Sequence, residues 1–130
     1  MLELIANLDY QELLDATKAT LLMLGLSLLF IVLLGLPLGV AIYSFSSSRI
    51  RKHPVLYSIL SFFINIIRSI PFIILMILLM PLTAIITGTT IDVAGVMPPI
   101  TVAGIAFFAR LTETALHEVD IGVIEAAQSM

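Results

Sequence analysis

The chain has 130 residues, 60% of them hydrophobic and 12% charged, with a mean hydropathy of +1.17 and a formal net charge of −3. Soluble domains carry roughly 25% charged residues, so this composition belongs to a lipid-facing protein and excludes disordered and collagen-like chains. The absence of cysteine removes disulfide frameworks, thiolate zinc sites and thiol nucleophiles, and His53 and His117 make no metal site by themselves.

Residues 1–16 hold Glu3, Asp9, Glu12 and Asp15 and no Lys or Arg. Leu4, Ile5 and Leu8 share one side of a short helix until Glu12 interrupts it, which predicts an external amphipathic segment lying on the membrane surface. The acidic start and the long apolar stretch behind it do not fit a cleaved signal peptide, so a retained helix is expected. From Ala19 to Ser48 run 30 uncharged residues. A span needs roughly 20 apolar residues, which predicts a first span over about 17–45, ending in a polar Ser-Phe-Ser-Ser-Ser cluster. Gly35 and Gly39 flank Pro37 within it as a small-xxx-small pair, and they read either as a close helix contact or as a hinge.

The connector from Ser46 to His53 holds Arg49, Arg51 and Lys52 and no acid. Such loops stay in the cytoplasm. The N-terminus and the stretch Leu82–Met97, which has no basic residue, are therefore expected outside, and everything after the third span inside. A second span is predicted over about 55–80, entered at Pro54 and stopped before Pro81. Ser58, Ser61, Asn65, Arg68 and Ser69 fall on one stripe of it. Pro71 cannot donate to the carbonyl of Ile67, which becomes a free acceptor beside that stripe. Asn65, Arg68, Ser69 and Pro71 are thus candidates for a pathway wall or a subunit contact. The alternative is an Arg68 that snorkels to the cytoplasmic headgroups.

A third span is predicted over about 98–117, starting at the Pro98-Pro99 pair. Arg110 and Glu113 stand three apart in it, so each reduces the cost of burying the other as an intramembrane ion pair, and Thr114 and His117 continue that face. His117 reads as an interface residue rather than a proton carrier. From about residue 120 the chain regains polar positions. Asp120 can cap a last helix on which Val123, Ala126, Ala127 and Met130 share a face, suited to a membrane surface or to a groove in a partner. No glycine-rich phosphate loop, catalytic triad, paired carboxylates or extended basic surface is present. Neither catalytic residues, cofactor-binding residues, a metal site nor nucleic-acid binding is expected. The fold class that follows is all-α, a polytopic membrane helix bundle.

The terminal Ile124-Glu125-Ala126-Ala127, on a cytoplasmic stretch just after a span, resembles the start of the EAA loop of bacterial ABC importer permeases. GLPLGV at 35–40, NIIRSIPFIIL at 65–75, MPLT at 80–83 and PPITVAGIAFFARLTETAL at 98–116 resemble more narrowly the permease subunits of methionine-type importers. The resemblance covers Thr17 to the end. The glycine and Leu-Pro positions that continue the EAA pattern would fall beyond Met130, so residues 17–130 are expected to be an incomplete type I transmembrane domain, cut within its coupling loop.

The resemblance implies a second permease copy, two ATP-binding subunits that hold ATP and Mg, an external substrate-binding lipoprotein, and residence in the bacterial cytoplasmic membrane. It also implies that Ile124, Glu125, Ala126 and Ala127 couple the ATPase to the spans. Two other readings stand beside it: a permease of the polar amino-acid importers, which share an Arg-x-x-Pro stretch, and a membrane scaffold without transport.

Overall fold

The computed structural model describes residues 2–7, 9–46, 53–119 and 121–130. A short helix, α1 (Leu2–Ala6), precedes the longest element, α2 (Tyr10–Phe45). Asp9 sets the start of α2 because its carboxylate accepts a hydrogen bond from the Gln11 amide at 3.0 Å. The surface segment expected over 1–16 is therefore not separate: residues 10–16 are the first turns of the long helix itself. At 36 residues, α2 is about 54 Å long. It continues through Pro37, whose fixed φ suits a helix even though one backbone hydrogen bond is lost.

The connector with Arg49, Arg51 and Lys52 lies outside the described residues, as does Asp120. Helix α3 (Pro54–Ser69) begins at Pro54 as expected, but the single straight second span is corrected. Ile70 turns extended (φ −76°, ψ 127°), and α4 (Phe72–Leu78) leaves at 110° to α3. The cause is Pro71, which lacks an N–H for the Ile67 carbonyl and crowds the residue before it out of the helical region.

The stretch expected as an external loop, 82–97, is corrected as well. Pro81 opens a helix instead of ending one: α5 (Met80–Thr87) starts there and closes on Gly88, whose φ of 76° is the left-handed conformation a helix stop uses. Helix α6 (Asp92–His117) starts six residues before Pro98 and carries both prolines inside. Asp92 holds φ 66°, a conformation that aspartate tolerates better than most residues. Helix α7 (Ile121–Ser129) follows directly on α6.

Helices α2 and α6 run in the same direction. Ile31 meets Gly104, Gly35 meets Ile105 and Phe108, Gly39 meets Ala109 and Thr112, and Tyr43 meets His117, so both residue numbers rise together. A Cβ on Gly39 would stand 2.7 Å from the Ala109 carbonyl, so the two backbones touch only because no side chain is there. Gly35 and Gly39 are thus a helix contact.

Two parallel helices require the chain between them to travel back, and α3 to α5 make that return. Ile42, Ile64, Ala106 and Ala109 form the buried centre, with Leu38, Tyr57, Leu60 and Ile67 around it. Outward, α2 exposes Leu21, Leu22, Leu28, Leu29 and Leu33. Helices α2 and α6 are each long and apolar enough to cross a membrane, and the bent pair α3–α4 makes a third crossing if its limbs count as one.

Candidate functional site

Glu113 is buried, 3% exposed, on the face of α6 that packs toward α3. A carboxylate in that position needs compensating donors. It has three. Arg110 Nη1 donates to Oε2 at 2.6 Å, the Tyr57 hydroxyl donates to Oε1 at 2.7 Å, and His117 Nε2 lies 3.5 Å from Oε1. Arg110 in turn donates through Nη2 to Asn65 Oδ1 at 3.0 Å, and the same nitrogen reaches the Ser61 carbonyl at 3.5 Å. The His117 ring stands edge-on to Tyr43 at 5.0 Å. One polar network therefore ties the α3 stripe to α6 and, through the His117 ring, reaches α2.

The spacing of Arg110 and Glu113 was legible from the sequence, as was the place of His117 on the same helix face. Thr114 does not join, contrary to expectation. It is exposed, about 100° around the helix from Glu113, and its hydroxyl donates to the Arg110 carbonyl at 2.9 Å. Tyr57 was missed by sequence reasoning. The available signal was a phenol on a membrane helix, one turn before Ser61 of the polar stripe, since a buried tyrosine hydroxyl seeks a partner.

The remaining stripe residues divide at the break between α3 and α4. Asn65, Ser69 and Pro71 line one hollow of about 500 Å³ together with Phe62 and Ile74. Arg68 lines another, of about 370 Å³, with Ile67, Ile70, Phe72, Leu75 and Phe107. Its guanidinium carbon lies 6.0 Å from the centroid of the Phe107 ring, within reach of a cation–π attraction.

Phe107 is ten residues from His117, which along α6 is about 15 Å from the helix end. No carboxylate among the described residues pairs with Arg68. A third hollow, about 430 Å³ between α2, α5 and α6, is lined by residues such as Phe30, Leu34, Ile86 and Met97 and has no charged side chain. Among the described residues no cluster of His, Asp or Glu is suited to a metal ion.

On α7, Ile124 is half-buried, whereas Glu125, Ala126 and Ala127 are exposed. The four residues stand on a regular nine-residue helix, and among the described residues none covers Glu125.

Long apolar helices, a charged network sealed between them and an exposed terminal helix define a polytopic α-helical membrane protein. No protein-family model matches the chain. Among curated proteins it is 41% identical over 115 residues to the probable D-methionine transport system permease protein MetI of Pasteurella multocida (strain Pm70), covering 88% of this chain and 53% of that protein. It is 43% identical over 111 residues to the D-methionine transport system permease protein MetI of Salmonella typhi, covering 85% and 51%.

Two solved structures of inward-facing conformations of the MetNI methionine ABC transporter match its fold. One has a TM-score of 0.86 at 39% identity, covering 90% of this chain and 54% of the matched chain. The other has a TM-score of 0.83 at 41% identity, covering 87% and 52%. The chain is homologous to the permease proteins of methionine ABC transporters and has the corresponding fold. It spans about half the length of the curated relatives it matches.

Proposed function

We propose that the chain forms part of the permease of an ABC importer that carries an amino acid, methionine first, across the bacterial cytoplasmic membrane by ATP-driven alternating access. The observation that carries this reading is the 41% identity over 115 residues to a methionine permease, in a chain whose fold superposes on a methionine transporter. On this reading residues 17–130 belong to a type I transmembrane domain, and the complex holds a second permease copy and two ATP-binding subunits, which bind and hydrolyse ATP with Mg. An external substrate-binding lipoprotein delivers the cargo. The basic connector and α7 face the cytoplasm and the N-terminus faces outward, in keeping with Arg49, Arg51 and Lys52.

The mechanism is a two-state switch. ATP binding in another subunit shifts the spans only if it favours one position of α7 over another. Ile124, Glu125, Ala126 and Ala127 are the contact that transmits this preference, since the alanines permit close seating and Glu125 offers an exposed acceptor to a basic or amide donor. In proteoliposomes holding the full-length complex, Glu125→Ala is expected to lower methionine taken up per ATP hydrolysed about tenfold. Unchanged stoichiometry overturns the role of α7, and a wild-type complex without ATP-dependent methionine uptake overturns the importer reading.

A further inference from the structure

We infer that the cavity beside Arg68 is a transient binding subsite for an amino-acid cargo, with Arg68 holding the α-carboxylate and the aromatic wall taking an apolar side chain; this rests on the importer reading above. Arg68 stands in the last turn of an apolar helix, where a cation is costly unless an anion or an aqueous cavity meets it. Arg68 has the cavity and, among the described residues, no anion. The Phe107 ring at 6.0 Å stabilises the charge from one side and leaves Arg68 exposed. A planar guanidinium is suited to two parallel hydrogen bonds to a carboxylate.

The volume of about 370 Å³ lies within the roughly 300–1,000 Å³ of small-molecule sites, and Phe72, Leu75 and Phe107 present apolar walls on which a thioether can rest. An ammonium group needs acceptors. The end of α3 leaves one beside the cavity, because Pro71 has no N–H for the carbonyl of Ile67, a residue that lines it. Interrupted membrane helices place free backbone polar groups where lipid is excluded, and there they serve a ligand. The larger apolar hollow between α2, α5 and α6 has no charged side chain to pair with an ionic cargo.

The test is photolabelling of the full-length complex, assembled with its ATP-binding subunits, using a diazirine analogue of methionine. Labelling of Phe72, Leu75, Ala103 or Phe107, competed by excess methionine, is expected, with a loss of at least tenfold in Arg68→Gln and partial retention in Arg68→Lys. An analogue lacking the carboxylate is expected not to compete. Should Arg68→Gln fail to assemble, Phe107→Leu serves in its place, with a severalfold loss of label expected.

Labelling unchanged in the assembling variant overturns the subsite and points instead to a lipid headgroup or an acid of another subunit as the partner of Arg68. Absence of label at these positions in a wild-type complex that transports methionine overturns the subsite alone, leaving the importer reading intact.

Discussion

Glu113 and Arg110 show how a charged pair is kept in a lipid-facing chain. Each oxygen of the carboxylate has a close donor, one from Arg110 on its own helix and one from Tyr57 on α3. Removing one partner of a buried ion pair leaves the other charge uncompensated, at a cost of about 3–5 kcal/mol. Removing one hydrogen bond to a charged group costs about 1.5–3 kcal/mol. Glu113→Ala is therefore expected to destabilise the purified full-length complex by the larger amount and Tyr57→Phe by the smaller, as read by thermal unfolding in detergent. A Tyr57→Phe protein as stable as wild type would remove the hydroxyl from the network. At this scale the pair within α6 was legible because three residues apart means one face of a helix. Tyr57 and Asn65 were not, because their meeting with α6 depends on how two helices slide past each other.

Between elements, the contact of α2 with α6 rests on missing side chains. Gly25 and Gly39 offer a matched comparison on one helix, since alanine at either position gains up to about 1 kcal/mol of helix propensity. A Cβ at Gly25 meets nothing within 4 Å, whereas at Gly39 it would meet the Thr112 Cβ at 2.5 Å and the Ala109 carbonyl at 2.7 Å. Gly25→Ala is thus expected to be neutral or stabilising in thermal unfolding, and Gly39→Ala to lose about 1–3 kcal/mol by overpacking. Equal stability of the two variants would show that α2 and α6 do not touch there.

The break between α3 and α4 belongs to the same scale. The lost hydrogen bond at Pro71 was readable in the sequence, but its consequence, a turn of 110° instead of a mild kink, was not. A proline specifies that a helix is weakened, and the neighbours that pack on each limb decide the angle.

For the molecule as a whole, the parallel course of α2 and α6 sets which ends lie together. The last turns of both helices meet at Tyr43 and His117, so Ser46, His53 and the start of α7 lie at one end, while Thr89 lies near the other. Residues 1–130 hold no cysteine, so single cysteines placed among them in a cysteine-free full-length background report on this directly. In intact cells carrying the full-length permease, Thr89→Cys is expected to react with a membrane-impermeant maleimide, and His53→Cys and Ser129→Cys only after permeabilisation. Reaction of His53→Cys and Ser129→Cys from opposite sides would contradict the parallel packing. The reverse pattern for all three would turn the molecule over and expose α7 to the wrong compartment for an ATPase.

The sequence by itself determined the lipid-facing helical class, the apolar stretches, the helix start at Pro54, the ion pair in α6 and the terminal helix. These depend on composition, on charge and on contacts within a turn or two, all of which are local. The tertiary structure alone decided that residues 80–87 and 92–97 are helical, that α3 and α4 diverge, that Tyr57 and Asn65 complete the network of Glu113, and that Arg68 lies against Phe107. In water an apolar stripe marks the face a helix buries. In lipid nearly every face of α2 is apolar, so hydrophobicity no longer reports which residues pack, and the register between helices is set by where small side chains let backbones approach.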